Sequence, residues 1–220
     1  DIAVARDCII AEHTGAHVHI AHVASKGAID IIRQYKAKGV NVTSEVTVHH
    51  LTLTDEACAT YNPATRVSPP LRSWDHVQAM REAVLDGTVD AIVTDHAPHA
   101  PEEKDVEFRY APCGFCGLET SLGVMLTDLY HTNIFDLKTI ISKMSCEPSK
   151  LFKLERGTLA EGAVADITIM DLNKEWTVDS SKFYTRGKFT PYEGKECKGK
   201  AVATMLAGKF VMRDGVVCAK

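Results

Sequence analysis

The sequence predicts an α/β fold: the last strands and helices of a (β/α)8 barrel, followed by a small β unit. Three observations carry this. Strand-like and helix-like segments alternate through the first two-thirds of the chain. The strand candidate at residues 89–94 is short and almost wholly apolar, which suits a parallel sheet covered by helices. From Gly157 onward the pattern changes to strands separated by glycine turns.

Residues 1–14 read as a helix with apolar Ile2, Val4, Ile9 and Ile10. Residues 17–24 alternate as a strand. Residues 26–38 place Ala28, Ile29, Ile32 and Tyr35 at helical spacing, and Gly39 stops them. Residues 40–48 form a second strand. Ser73 caps a helix whose apolar stripe is Trp74, Val77, Met80, Val84 and Leu85, and Gly87 ends it. The strand at 89–94 runs into a loop, 95–116, rich in proline and charge. Helices are predicted at 118–131 and 135–144, with Pro148 opening a short one. A turn at 157–162 leads to strands at 163–170, 200–206 and 209–217, with a long irregular excursion over 171–199.

This divides the chain into residues 1–155, the barrel part, and residues 156–220, the β domain. Three strand–helix units are too few for a stable open sheet. They suffice as the end of a barrel that needs about 250 residues in all. The chain also begins at Asp1, directly in a helix, and so reads as the later part of a longer protein.

Composition narrows the function. With 45% hydrophobic and 25% charged residues the chain is globular, which excludes disorder and coiled coil. A net charge of −4 gives no electrostatic reason to expect nucleic acid or an anionic membrane as partner. No apolar run reaches the ~18 residues of a membrane helix. Seven cysteines, an odd number in a well-cored chain, read as reduced thiols in the cytoplasm. Cys113 and Cys116 have C-x-x-C spacing, but without a second pair it is incidental.

In a barrel the chemistry sits at the C-terminal strand ends. His22 ends the first strand and reads as a metal ligand. His17 and His19 share the opposite face and read as satisfied structural residues. Glu45, on the second strand, is costly to bury without a cation or donor, so it pairs with Arg or Lys or faces the site. His49 and His50 are adjacent and, on a strand, point apart, so at most one serves. Asp95 ends the third strand beside His96 and His99. It is the strongest local signal, placed to bind a cation or move a proton.

The run Thr94-Asp95-His96-Ala97-Pro98-His99, with Glu102-Glu103-Lys104, resembles the strand-8 motif of the dihydroorotase family. The stretch from Gly114 to Thr120 matches the segment after that motif in the family. Ser44 to Leu51 resembles its strand-7 motif, with Val48 in place of the usual proline. Ser68-Pro69-Pro70-Leu71-Arg72 resembles the next loop, and Thr190-Pro191-Tyr192-Glu193-Gly194 its C-terminal signature.

The resemblance implies the last strands and helices of an amidohydrolase (β/α)8 TIM barrel plus part of a small β-sandwich domain. It implies two Zn2+ per active site and reversible cyclisation of N-carbamoyl-L-aspartate to dihydroorotate, a step of pyrimidine biosynthesis. By the same resemblance His22 and Asp95 are metal ligands, Asp95 is also the catalytic proton shuttle, and His99, Ser68 and Gly114 bind substrate. Glu45 is a possible addition beside the metals. Ser68 stands where the family commonly has asparagine. The family's H-x-H pair, bridging carboxylate and strand-5 histidine have no counterpart here, so this chain alone is expected to be inactive. A homodimer, and association with aspartate carbamoyltransferase, are the partner expectations. The competing readings are a hydantoinase or allantoinase and a non-catalytic dihydroorotase-like subunit.

Overall fold

The structure, a computed structural model, describes residues 1–218; residues 219 and 220 of the expected β domain lie outside the described residues. The chain forms two compact units. One comprises residues 1–119 with 179–193, and the other residues 120–178 with 194 onward.

The first unit contains helix α1 (Ile2–Thr14), strand β1 (Val18–Ile20), helix α2 (Lys26–Ala37), strand β2 (Val42–Thr47), helix α3 (Val48–Thr52), helix α4 (Trp74–Leu85), strand β3 (Ala91–Val93) and the short helix α5 (Pro101–Lys104). The three strands form a parallel sheet in the order β1-β2-β3, with Val18 opposite Val42 and Thr47 opposite Val93. Ser44, Val46 and Thr47 of the central strand are buried, as are Ile29, Ile32, Met80, Ala83 and Val84 of α2 and α4. Ser44 is satisfied there: its hydroxyl donates to the Thr88 carbonyl at 3.1 Å, and its N–H donates to Asp90, which Lys36 pairs at 2.7 Å.

Two predicted stripes differ from the packed ones. In α1 the contact stripe is Cys8 and Ala11, while Ile2, Ile9 and Ile10 are exposed. Small side chains three apart let this helix approach closely, and the larger ones lie off that line. In α4 the first and last stripe members, Trp74 and Leu85, are exposed, and the Arg81 guanidinium lies 4.7 Å from the Trp74 ring centre.

The second unit carries helices α6 (Ser121–Met125), α7 (Leu137–Ile141) and α8 (Glu147–Leu151). The first two pass directly into wider π-helical turns at Leu126–Tyr130 and Ser142–Cys146. After them comes an antiparallel sheet in the order β4-β5-β6-β7: β4 (Ile167–Thr177), β5 (Glu196–Leu206), β6 (Lys209–Arg213) and β7 (Val216–Val217). Strands β4 and β5 each run eleven residues, so much of the predicted excursion is ordered strand. Register shifts between Ile169 and Met170 and between Asp171 and Glu175 break the alternation, which hides the strand in the sequence. Of the rest of the excursion, residues 179–193 belong to the first unit.

Candidate active site at the strand ends

Parallel strands bring their C-terminal ends to one edge of the sheet. Strand β1 ends at Ile20, β2 at Thr47 and β3 at Val93, and His22, His49 and Asp95 each stand two residues later. His22 and Asp95 both adopt left-handed backbone, with φ of 38° and 48°. Each such non-glycine residue costs about 1–3 kcal/mol and persists where the surroundings over-determine it. The turn at His22 is tied to the sheet by the Val23 N–H, which donates to the Glu45 carbonyl at 2.8 Å.

His49 and His50 do not point apart. The chain turns helical at Val48, so successive side chains diverge by about 100° rather than 180°. Their ring centres lie 4.4 Å apart. Burial lowers the His50 pKa to about 4, so the ring is neutral. Its Nε2 donates to the Pro69 carbonyl at 3.0 Å, which leaves Nδ1 to accept from the Thr47 hydroxyl at 2.7 Å. His49 is also held neutral: burial, then neighbouring His50 and His22, push its pKa well below the ordinary histidine value. Both ring nitrogens of His49 and Nδ1 of His22 are buried without a hydrogen-bond partner. One edge of His49 meets the Phe115 ring at 5.1 Å.

The two other histidines of the first predicted strand are satisfied. His17 and His19 both hydrogen-bond the Thr43 hydroxyl at 2.8 Å. Of the two expectations for Glu45, pairing with Arg or Lys or facing the site, the first does not hold: it pairs with His19 Nε2 at 3.1 Å.

Loop 95–116 folds back on the strand ends. Ala97 N–H donates to the Phe115 carbonyl at 3.0 Å. His99 Nε2 donates to the Cys113 carbonyl at 2.9 Å, and the Gly114 N–H donates to the Arg66 carbonyl at 2.8 Å. Gly114 sits at φ 118°, and a Cβ there would fall 2.5 Å from Ala97 Cβ and 3.3 Å from His99 Nε2. Ser68 is exposed two residues beyond Arg66. The structure therefore brings His99 and Gly114 into contact and ties them to the Ser68 loop. His22 and Asp95 share the sheet edge. Among the described residues no group of three or more His, Cys, Asp or Glu is placed to hold a metal. His22 and Asp95 are nevertheless zinc-type donors, an imidazole nitrogen and a carboxylate, and the unpartnered His22 Nδ1 shows an imidazole not fully committed elsewhere.

Two residues were not singled out from the sequence. Tyr192 hydrogen-bonds Thr52 at the end of α3 at 2.9 Å and packs edge-on to Phe115, so the Thr190–Gly194 signature braces the helix that carries His49. Lys104 is completely buried, and its Nζ donates to the Pro112 carbonyl at 2.7 Å. Burial lowers its pKa to about 8, against the Cys113 and Cys116 thiols, which raise it, and Arg66, which lowers it further. The unfolded chain therefore binds more protons than the folded one between pH ~8 and ~10.5, and stability gained from this group rises with pH across that window. The thermal midpoint of the wild type should rise relative to that of Lys104→Met on titration from pH 8 to 10.5. A difference that stays constant would refute the depressed pKa.

The cysteines are free thiols, with Cys113 exposed and Cys116 buried. No helix among the described residues is long and apolar enough to cross a membrane.

The chain is 50% identical over 214 residues to a dihydroorotase of Syntrophus aciditrophicus (strain SB), covering 97% of this chain and 50% of that protein. It is 47% identical over 217 residues to a dihydroorotase of Pelotomaculum thermopropionicum, covering 99% and 51%. The chain thus spans about half the length of the curated relatives it matches. Among solved structures, an L-hydantoinase (dihydropyrimidinase) from Arthrobacter aurescens superposes with a TM-score of 0.94 at 30% identity, over 99% of this chain and 49% of that one. A dihydropyrimidinase from Brevibacillus agri NCHU1002 gives 0.91 at 23% identity over 98% and 49%, a likeness of fold alone. The model of the amidohydrolase family matches residues 5–211, nearly the whole sequence, and the chain belongs to that family.

Proposed function

We propose that this chain forms the later half of a zinc-dependent dihydroorotase, which interconverts N-carbamoyl-L-aspartate and dihydroorotate in pyrimidine biosynthesis. The observation that carries this reading is an overall identity of 47–50% to dihydroorotases over 97–99% of the chain. The hydantoinase-type structures share the fold at 30% identity or below, which favours the dihydroorotase reading over the hydantoinase one.

On this reading residues 1–155 close a (β/α)8 barrel and residues 156–220 contribute to a β-sandwich domain. The parallel three-stranded sheet before residue 155 and the antiparallel four-stranded sheet after it support two kinds of architecture, while residues 120–155 pack with the second compact unit and 179–193 with the first. His22 and Asp95 hold part of a two-zinc site whose other ligands lie outside this sequence. Zinc, when bound, supplies Lewis-acid polarisation of the amide carbonyl.

The chain's own residues do the rest. Asp95, at the end of a dry strand, takes a proton from the attacking water at its carboxylate and delivers it to the departing ring nitrogen. His99 and the Gly114 backbone bind and orient the anionic substrate, and Ser68 adds a neutral hydrogen bond. Glu45, paired with His19 on the central strand, is a further contributor to the site. The free thiols support a cytoplasmic location. A homodimer, and association with aspartate carbamoyltransferase, complete the reading.

The test is turnover of dihydroorotate against hydantoin and allantoin by the full-length protein. Turnover of dihydroorotate alone supports the proposal, and preference for either of the others overturns it. Ser68→Ala in that protein should raise KM more than it lowers kcat, at a cost of ~0.5–1.5 kcal/mol for one neutral hydrogen bond. Unchanged kinetics would remove Ser68 from the substrate contacts.

A further inference from the structure

Loop 95–116 is long and carries little regular structure, only α5. Loops of that length hold a shape only through internal anchors. Residues 112–114 have three consecutive ones. Lys104 Nζ donates to the Pro112 carbonyl, His99 Nε2 to the Cys113 carbonyl, and the Gly114 N–H to the Arg66 carbonyl.

The two side-chain anchors differ in kind. His99 is partly exposed, and its other nitrogen lies 3.9 Å from the exposed carboxylate of Glu103. Its Nε2 is committed to the Cys113 carbonyl, so engaging an anion through that nitrogen means releasing the loop. Lys104 is wholly enclosed. Its ammonium has three donors and makes one hydrogen bond, to Pro112. An enclosed lysine is expensive, and a methionine of similar length would fill the same space without a charge. Packing therefore does not require a lysine here, whereas fixing the Pro112 carbonyl does. The hydrogen bond also survives deprotonation, because a neutral amine still donates.

We infer that Lys104 is a positioning residue: it latches the 112–114 turn so that Gly114 stays in place when His99 leaves the Cys113 carbonyl for the substrate. The kinetic consequence rests on the dihydroorotase reading, but the mechanical one does not.

The experiment uses full-length protein carrying Lys104→Met or Lys104→Gln, with steady-state kinetics on dihydroorotate, zinc content, thermal midpoint and amide exchange of residues 105–116. In Lys104→Met, KM should rise about tenfold, with kcat and zinc content near wild type, and amide exchange at 112–114 should quicken about tenfold. Lys104→Gln keeps a donor on a shorter chain and should fall between. Unchanged KM and exchange in both variants would overturn the latch. So would loss of fold in both, or kcat and zinc falling together with the midpoint, since each marks a general structural role. Should the wild type fail to turn over dihydroorotate, the functional reading falls, while the exchange measurement still decides the latch.

Discussion

On the dihydroorotase reading proposed above, Asp95→Asn in the full-length protein should lower kcat at least ~10²-fold while retaining part of the zinc, because the amide keeps a ligand oxygen and removes the base. The structural reason lies in what precedes it. Ala91 and Ile92 are buried, and the strand ends two residues before Asp95, whose backbone is left-handed, so the residue stands at the C-terminal edge of the sheet. Asp95→Ala removes both functions, so zinc content should fall as well. Measuring kcat together with bound zinc in both variants separates the roles. A near-native kcat in Asp95→Asn would leave Asp95 a ligand or a structural residue, with no part in proton transfer.

Gly114→Ala should lower kcat/KM by about 10²-fold, the penalty expected when a reacting group is displaced by an ångström. The added Cβ would meet Ala97 Cβ at 2.5 Å and the Ala97 carbonyl at 3.0 Å, neither of them the movable end of a long side chain. A φ of 118° adds strain of ~1–3 kcal/mol for a residue with a side chain. The loop must move, and His99 and the Gly114 N–H move with it. Because Asp95 lies at the strand end rather than on the displaced turn, zinc content should hold. Unchanged kcat/KM would mean that this turn stands away from the substrate.

Much of this arrangement was legible in the sequence, for identifiable reasons. The apolar strand ending in Ala91-Ile92-Val93 makes Asp95 stand out at its C-terminal end, and His22 is found by its place at the end of β1. Other features were hidden by competing effects. The expected strand 40–48 leaves His49 and His50 as adjacent residues pointing apart, but Thr47 caps a helix by accepting from the His50 N–H at 3.1 Å, which turns the two histidines onto neighbouring positions. A threonine three residues before the second histidine was the available signal. The length of β4 was concealed by its bulges. Lys104 was visible only as one member of a charged triplet. Nothing local distinguishes an enclosed lysine from a solvated one, since its burial depends on how loop 95–116 folds back over it.

The central claim is that the ends of β1 and β3 in this chain build part of a zinc site. Anomalous diffraction at the zinc edge from crystals of the full-length protein tests it most directly. Zinc at about 2.0–2.2 Å from a His22 ring nitrogen and from an Asp95 carboxylate oxygen is the predicted result. Zinc bound only by residues outside this chain, with His22 and Asp95 free of metal, would contradict it.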